Sequence, residues 1–560
     1  MSLTGDFFRL ALLVVLTLLC VIVLYCFIHV PIPVVLPVMV GVGALSWFLQ
    51  NKIQPNRVRR FHAAGNFYAS FAQPFAFLKF YLGNQTKIDS HALSPVLIGH
   101  GAAWLAEHSY SVHEASDAMQ ALVHTPARQA RPKKLGFPVA LLSRNGLALG
   151  SPGSGKTQLL ILLARAAQAR GESVCLIDPK GSALLYQRLR EGALESGRPF
   201  FALIPQRAAD SVHYDPLRYC LTGTDIASRL ISLMPGDHND VFKHFCWGVV
   251  VTLAEACLLL GERPSIALLS VLLPEAGASV LPRVERLLQR ESTSLARSTK
   301  KALQALVEHD RTHYQKMTVP LRSVFELLCR GSLGQVLGGI ATLENHSTAP
   351  ALSGTLWLDI AIARQQQATI YIGLDALVNP PIAKALAALV LEDIAADAAR
   401  GLAQSSDRPA QLLLIDEAGE VACEAMLQLL GKGRECGVQT WFAIQTLSDL
   451  EWRLGRAAAA RVAEGNAGAW FLFRQLDAVS RRESERRLGT LPIARRSASL
   501  GTSSMRRMGN HYESDSVSDG FTRETVPRIP EAVFSCLEDL ECFAHLPDGS
   551  LFHLRLNAHF

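Results

Sequence analysis

The fold is decided by the stretch Gly146-Leu-Ala-Leu-Gly-Ser-Pro-Gly-Ser-Gly-Lys-Thr157. Its first four residues are apolar and predict a short strand, and residues 158–170 (QLLILLARAAQAR) have the composition of a helix. Residues 150–157 fit the pattern G-x-x-x-x-G-K-S/T. A strand, a glycine-rich turn and a helix in this order let backbone N–H groups close around phosphates. The sequence therefore predicts a phosphate-binding loop, and a turn that binds nothing is disfavoured because both flanks fit.

This loop supplies the candidate nucleotide-binding residues. They are Gly150, Ser151, Pro152, Gly153, Ser154, Gly155, Lys156 and Thr157. In such loops the lysine reaches the β- and γ-phosphates and the hydroxyl residue ligates Mg²⁺. We therefore expect ATP and Mg²⁺ as cofactors, with Lys156 on the phosphates and Thr157 on the metal.

A metal held by a hydroxyl group needs an acidic partner, and residues 411–417 (QLLLIDE) supply one. The apolar run predicts a buried parallel strand, and Asp416 falls at its carboxyl end, where sites lie in α/β sheets. We expect Asp416 to hold Mg²⁺ and Glu417 to polarise the attacking water. The alternative is that both acids only cap a helix. ABC-type ATPases also carry adjacent Asp and Glu, but their Leu-Ser-Gly-Gly-Gln signature is absent from this sequence.

Predicted strands and helices alternate around these motifs. Strands are predicted at 174–178, 200–204, 368–372 and 439–444, and helices at 382–400 and 422–436. This alternation is typical of an α/β protein with a doubly wound, mainly parallel sheet. Between about 224 and 335 the pattern is helical throughout, which predicts an all-α domain inserted into the α/β domain. The helices predicted there cover 225–233, 241–260, 280–289, 295–309 and 321–329.

Two apolar segments near the N-terminus, 10–28 and 30–49, are each long enough to cross a bilayer. They predict a transmembrane hairpin within an anchor at 1–57. A cleaved signal peptide is disfavoured because the first segment is too long, and a single span followed by an interfacial segment is the other alternative. Lys52, Arg57, Arg59 and Arg60 follow the second segment, which predicts that both termini and the rest of the chain are cytoplasmic. Residues 58–135 are expected to be a cytoplasmic lead-in of weakly patterned helix, ending in a basic linker at 128–134.

The composition of the chain excludes some classes of protein but does not identify the function. Charged residues make up 19% of the chain and hydrophobic residues 49%, which excludes a disordered protein. The formal net charge of +6 permits a polyanionic partner but does not demand one. The 11 cysteines include no C-x-x-C pair, so neither a disulfide framework nor a zinc site is indicated.

The C-terminal third carries three further patterns. Arg481, Arg482, Arg486 and Arg487 form a basic helix face, which we interpret as solvated, with a DNA contact as the alternative. The Ser/Arg/Gly-rich stretch 495–520 predicts a mobile loop. Segments 541–546 and 551–556, joined by Pro-Asp-Gly-Ser, predict a hairpin.

The order of the motifs resembles that of the TraD/TraG group of type IV secretion coupling proteins, the membrane-anchored motors of conjugation. The resemblance rests on two predicted spans, the phosphate loop, Asp-Pro-Lys-Gly (178–181), Tyr-Asp-Pro-Leu (214–217), the helical insertion and Ile-Asp-Glu (415–417), which follow one another in this order. Its most specific part is the two motifs that follow Asp416 and Glu417, which are Gly-Lys-Gly-Arg-Glu-Cys-Gly (431–437) and Ala-Ile-Gln-Thr-Leu-Ser-Asp-Leu (443–450). Gly-His-Gly-Ala-Ala-Trp (99–104) also resembles the lead-in of TraD proteins from integrating elements.

The resemblance implies a RecA-like P-loop motor domain, formed by 136–223 and 336–560, around an inserted all-α domain at 224–335. It implies a DNA-translocating ATPase of the bacterial inner membrane that works as a homo-hexamer and delivers relaxase-bound single-stranded DNA to a type IV secretion channel. By the same resemblance, Arg434 reaches the γ-phosphate of a neighbouring subunit, and Gln445 senses that phosphate or orients water. An arginine that acts only on its own helix dipole is the alternative for Arg434.

Two other functions stay open at this point. The same motor fold serves receptors for protein effectors of type IV secretion systems, and it serves double-stranded DNA translocases of the FtsK/HerA kind. The short N-terminal spans and the helical insertion disfavour the FtsK/HerA alternative. Unlike many members of the TraD/TraG group, this sequence has almost no segment between the two predicted spans, and it has no long acidic tail.

Overall fold

The strand that precedes the phosphate loop lies inside an eleven-stranded sheet in the computed structural model. The structure describes residues 96–103, 133–137, 142–234, 240–290, 293–338, 356–403, 408–507 and 510–557. The chain divides into two units, Met1–Asn66 with Phe560 and Phe67–His559, and every described residue lies in the second. The predicted transmembrane segments 10–28 and 30–49 lie outside the described residues.

The main sheet is parallel over most of its width. Its strands are β1 Val96–Ala103, β2 Lys133–Phe137, β3 Gly146–Leu149, β4 Ser173–Asp178, β5 Phe200–Leu203, β8 Thr369–Gly373, β9 Gln411–Ile415, β10 Val438–Ile444, β11 Ala469–Leu472, β14 Glu541–His545 and β15 Leu551–Leu556. They lie in the order β2-β1-β15-β14-β11-β3-β10-β9-β4-β8-β5. The strands from β11 to β5 pair in parallel, and β14, β15, β1 and β2 extend the sheet with antiparallel pairs.

Two smaller sheets accompany the main one. The short strands β6 (His213–Tyr214) and β7 (Trp357–Leu358) pair in parallel. The long strands β12 (Thr490–Arg507) and β13 (Asn510–Pro527) pair with each other in an antiparallel ribbon.

Helices cover the sheet. Those that alternate with its strands are α1 Lys156–Arg170, α2 Ala183–Glu195, α11 Ile360–Gln365, α12 Pro380–Ala403, α13 Ala418–Val421, α14 Glu424–Lys432, α15 Leu447–Leu454, α16 Arg456–Ala460, α17 Ala478–Leu488 and α18 Glu531–Cys536. Between β6 and β7 the described residues form α3 Gly223–Ile231, α4 Val241–Leu259, α5 Ile266–Leu272, α6 Leu281–Arg290, α7 Ser294–Val307, α8 Arg311–Met317, α9 Val319–Cys329 and α10 Gly331–Leu337.

The core lies on both faces of the sheet, because successive side chains of a strand point to opposite faces. On β4, Cys175 and Ile177 join one hydrophobic cluster while Val174 and Leu176 join the other. Burial on both faces explains why the central strands are apolar without alternation. The doubly wound, mainly parallel sheet predicted from the sequence is confirmed.

Helix α4 is the one helix among the described residues that is long and apolar enough to cross a membrane by length and composition. Its buried residues, Val249 and Leu253 among them, belong to the cluster that also contains Leu230 and Leu303. Helices α3 and α7, which carry those two leucines, pack against α4.

The structure corrects the prediction for the lead-in. Residues 96–103, for which weakly patterned helix is predicted, form strand β1, and Lys133 and Lys134 of the predicted basic linker begin β2. The strand is held by β15, more than 400 positions later in the chain, with Gly99 paired to Leu556. A pairing over that distance leaves no local signal, and the small residues of β1 weaken its strand pattern.

The prediction of a mobile loop at 495–520 is also wrong. Residues 495–507 and 510–520 lie within the ribbon of β12 and β13, where Ser499 pairs with Ser518 and Arg507 pairs with Asn510. A continuous antiparallel ladder satisfies the backbone groups of a segment whose Ser, Gly and Arg content predicts a loop. The predicted terminal hairpin is present as β14 and β15, and it is part of the main sheet.

Candidate functional site

The phosphate loop connects β3 to α1 at the carboxyl edge of the sheet. Gly155 precedes α1 with φ 118°, and Gly153 has φ 75°, a left-handed region that favours glycine. A Cβ atom on Gly155 would lie 3.1 Å from Leu540 Cα, and one on Gly150 would lie 2.6 Å from Phe473 Cβ. Gly155 is therefore favoured by its backbone conformation, and Gly150 is required by close packing against Phe473 at the end of the sheet.

Lys156 is buried within this loop. Its Nζ donates hydrogen bonds to the carbonyl oxygens of Gly150 at 2.7 Å and Ser151 at 3.0 Å. Burial lowers the pKa of Lys156, against the opposing effect of the nearby Glu417 and Asp416 carboxylates. Within the described residues, the buried hydroxyl groups of Ser151 and Ser154 have no hydrogen-bond partner. Unsatisfied buried donors around a lysine fit an anionic ligand such as a phosphate.

Thr157 and Asp416 meet across the site. The Thr157 hydroxyl group donates to Asp416 Oδ2 at 2.9 Å, although the two residues belong to different strand–helix units. Asp416 directly follows β9, and its backbone N–H donates to Ile177 O of the adjacent β4. Burial, followed by the proximity of Glu417, raises the pKa of Asp416, and the Thr157 hydrogen bond opposes this shift. A hydroxyl and a carboxylate oxygen at this distance are suited to a magnesium ion.

Glu417 has a strained backbone and a fully engaged carboxylate. It is a non-glycine residue with φ 44° and ψ 50°, a conformation that persists at functional sites when the surroundings enforce it. Its Oε1 lies 2.7 Å from Lys180 Nζ, and its Oε2 accepts a hydrogen bond from Gln445 Nε2 at 2.6 Å. Glu417 precedes α13, but its side chain makes no capping hydrogen bond there. The structure thus brings Glu417 and Gln445 together at the strand ends.

Lys180 is the site residue that the sequence analysis did not assign. It lies on the Asp-Pro-Lys-Gly turn that begins at the last residue of β4, and the sequence indicates this turn only through the family resemblance. The turn is built around the buried Asp178 carboxylate, which accepts hydrogen bonds from the backbone N–H groups of Lys180 at 3.0 Å and Ser182 at 2.6 Å. The Tyr371 hydroxyl group also donates to Asp178, at 2.8 Å. The sequence gives no signal for this contact, since the pairing of β4 with β9 is not encoded in any local pattern.

Arg434 lies at the opposite edge of the sheet from the phosphate loop. It belongs to the 3-10 turn Gly433–Cys436, directly before β10, whereas Gln445 directly follows that strand. The length of β10 separates the two edges by roughly 20 Å. Arg434 is exposed and makes no side-chain hydrogen bond or ion pair with the described residues. It is therefore too distant to act on a phosphate bound by its own chain.

The predicted helix over 422–436 is broken, and this changes the setting of Arg434. Helix α14 ends at Lys432, and the 3-10 turn that follows is closed by Gly437 with φ 72°. Arg434 is thus presented on a tight turn at the sheet edge rather than on the last turn of an α-helix.

A buried arginine holds this turn in place. Arg364 Nη2 donates to Cys436 O at 2.8 Å and its Nε donates to Pro409 O at 2.9 Å. Its Nη1 lies 3.3 Å from Asp397, which is fully buried and also pairs with Arg408. Burial lowers the pKa of Arg364, against the opposing effect of Asp397. These contacts fix the backbone shortly before β9 begins and shortly before β10 begins.

Replacement of Arg364 by methionine is expected to lower the free energy of unfolding by about 3–5 kcal/mol, because it breaks a buried ion pair and two hydrogen bonds. The measurement is urea unfolding followed by circular dichroism. Arg400→Met is the matched control, since Arg400 lies 3.8 Å from the same carboxylate but is partly exposed, and a loss of about 1 kcal/mol or less is expected. Equal losses in the two variants would contradict this account.

The predicted basic face of α17 is largely paired. Arg486 forms an ion pair with Glu483 at 2.6 Å, and Arg482 lies 3.7 Å from Glu531. Arg481 donates to Leu476 O at 2.6 Å. The guanidinium of Arg487 lies over the Trp470 ring. These contacts agree with a structural interpretation of the four arginines.

Comparison with known proteins finds a related family for the C-terminal part of the chain. Residues 327–557 match the family described as the type IV secretion-system coupling protein DNA-binding domain. The resemblance to type IV secretion coupling proteins drawn from the motifs is therefore confirmed, and the match includes Asp416, Glu417, Arg434 and Gln445. A search of curated proteins by sequence finds none that matches the chain.

Solved structures of the coupling protein TrwB share the fold. The unbound bacterial conjugative coupling protein TrwBdeltaN70 superposes with a TM-score of 0.52 at 15% identity, covering 76% of this chain and 87% of that one. TrwB in complex with ADP and Mg²⁺ also gives 0.52, at 14% identity, covering 85% and 98%. TrwB with a non-hydrolysable ATP analogue gives 0.51 at 14% identity, covering 83% and 96%. At these identities the likeness shows the fold.

Proposed function

We propose that this protein is an ATP-driven motor that moves DNA as the coupling protein of a type IV secretion system. The observation that carries the proposal is the 2.9 Å contact between Thr157 of the phosphate loop and Asp416, with Glu417 next to it. A phosphate loop joined to an acidic pair at the same edge of the sheet is the arrangement that nucleotide hydrolysis requires. The match of residues 327–557 to a coupling protein DNA-binding domain supports the choice of DNA as the load.

ATP and Mg²⁺ are the proposed cofactors, and the TrwB structures with ADP and Mg²⁺ or with an ATP analogue support them. Residues 150–157 would bind the phosphates, and the unsatisfied hydroxyl groups of Ser151 and Ser154 fit this role. Thr157 and Asp416 would hold the metal. When bound, Mg²⁺ neutralises negative charge on the phosphates.

The residues at the strand ends would each have a separate role in hydrolysis. Lys156 would exchange its loop carbonyl partners for oxygens of the β- and γ-phosphates. Glu417 would accept the proton of the attacking water, and Gln445, which already contacts the Glu417 carboxylate at 2.6 Å, would orient that water. Arg434 of a neighbouring subunit would stabilise charge on the transferring phosphoryl group.

The remaining features of the proposal concern assembly and location. A trans-acting Arg434 requires a ring, for which the resemblance implies a homo-hexamer, with helices α3–α10 as an inserted all-α domain. The anchor at 1–57 would hold this ring at the inner membrane. The load would be single-stranded DNA with its relaxase, passed to the secretion channel. Contacts to the DNA backbone rather than to bases would make binding depend on salt.

ATP hydrolysis by the full-length protein, with and without single-stranded DNA, tests the proposal. We expect DNA to stimulate hydrolysis several-fold, and the stimulation to weaken as salt increases. The Lys156→Ala variant, which removes the phosphate contact, is the control for contaminating ATPases. Hydrolysis that is indifferent to DNA but rises with a partner protein would instead favour a receptor for protein effectors.

A further inference from the structure

Lys180 and Gln445 together occupy both carboxylate oxygens of Glu417. The Lys180 ammonium lies 2.7 Å from Oε1, and the Gln445 amide lies 2.6 Å from Oε2. The Glu417 side chain is only 9% exposed. Charge-assisted hydrogen bonds of this length are strong, so a water molecule has to compete with both partners for the carboxylate.

The base of Lys180 is fixed while its tip is accessible. The backbone N–H of Lys180 is held by the Asp178 carboxylate, and Leu374 N–H donates to Asp178 O at 2.9 Å. Gly181 follows with φ 65°, and a Cβ atom there would lie 2.6 Å from Leu374 O. The Lys180 side chain is nevertheless 50% exposed. A rigid turn with a half-exposed ammonium lets the charge change partners without movement of the backbone.

The Lys180 ammonium also lies in the electrostatic field of the phosphate loop. Burial lowers its pKa, but the hydrogen bond and charge of Glu417, with Asp416 and Asp178, outweigh this and raise the pKa overall. Lys180 in turn contributes to lowering the pKa of Lys156. The ammonium therefore stays charged and close to the place where Lys156 and Thr157 would receive the phosphates.

We propose that Lys180 is a positioning residue that couples Glu417 to the γ-phosphate. Its ammonium restrains the Glu417 carboxylate, and a bound nucleoside triphosphate draws the ammonium to a γ-phosphate oxygen and frees the carboxylate for water. A nucleoside diphosphate lacks that oxygen and leaves the ion pair intact. This inference rests on the proposed function, and it adds a device by which the site distinguishes the triphosphate from the diphosphate.

The test compares the affinities of the full-length protein for a non-hydrolysable ATP analogue and for ADP. For Lys180→Met we expect the affinity for the analogue to fall about tenfold, the effect of losing a charged hydrogen bond, while the affinity for ADP stays within about twofold. Lys180→Arg should retain most of the preference for the triphosphate. Lys316→Met, at an exposed position of α8, is the matched control.

A double-mutant cycle separates this coupling from a plain surface ion pair. In Glu417→Gln the restraint on Lys180 is removed, so the affinity for the ATP analogue should rise, and the rise should vanish when Lys180→Met is added. If Lys180→Met still binds and hydrolyses ATP and has the same ratio of ATP-analogue to ADP affinity as the unmodified protein, the role of Lys180 is overturned while the proposed function stands. Failure of the unmodified protein to bind either nucleotide would overturn the proposed function itself.

Discussion

Replacement of Arg434 by alanine is expected to reduce kcat for ATP hydrolysis by about 10³-fold or more, the range measured for arginine fingers. Affinity for ATP should change little, because Arg434 lies at the edge of the sheet remote from the phosphate loop of its own chain. The measurement is steady-state hydrolysis with DNA, together with nucleotide binding at equilibrium. Lys432→Ala, which removes an exposed cation two positions earlier, is the control and should leave kcat unchanged.

Mixing variants tests the trans action directly. Arg434→Ala subunits retain an intact phosphate loop, and Lys156→Ala subunits retain the arginine. A mixed ring therefore contains interfaces at which a loop from one subunit meets an arginine from the other. We expect an equal mixture to recover a measurable part of the activity that both parents lack. A mixture as inactive as its parents would contradict action between subunits.

The second large effect is expected for Glu417→Gln, which should lower kcat by about 10²- to 10⁴-fold. The amide cannot accept a proton from water, yet it has nearly the same shape and can still contact Gln445. ATP binding should therefore persist, and single-turnover experiments should place the defect in the chemical step. Glu420→Gln, which changes an exposed acid on α13 three positions later, is the control and should hydrolyse ATP normally. Normal activity in Glu417→Gln would exclude Glu417 as the base.

The parts of the fold that follow from local patterns could be predicted from the sequence. The phosphate loop and the strands at 146–149, 173–178 and 411–415 combine apolar runs with motif residues at fixed spacing. Their position at one edge of the sheet follows from the parallel pairing that the alternation of strands and helices implies. For this reason the meeting of Thr157 with Asp416 could be expected before any coordinates were known.

The parts that depend on distant pairing could not be predicted. Strand β1 pairs with β15, which is distant in the sequence. The ribbon of β12 and β13 is formed by antiparallel pairing between two polar segments. Neither β1 nor the ribbon has the alternation of apolar and polar residues that predicts a strand. The role of Lys180 was missed for a related reason, since its contact with Glu417 joins two turns 237 positions apart.

The contact between the phosphate loop and Leu540 has a consequence for biosynthesis. The Leu540 N–H donates to Ser154 O at 2.8 Å, and the hairpin that follows Leu540 separates β1 from β11 in the sheet. During translation the loop residues emerge long before the segment that packs against them. In a chain that ends before residue 540, the phosphate loop therefore lacks the wall that Leu540 provides. The wall of the loop and the link between β1 and β11 are therefore completed only when nearly the whole polypeptide has been made.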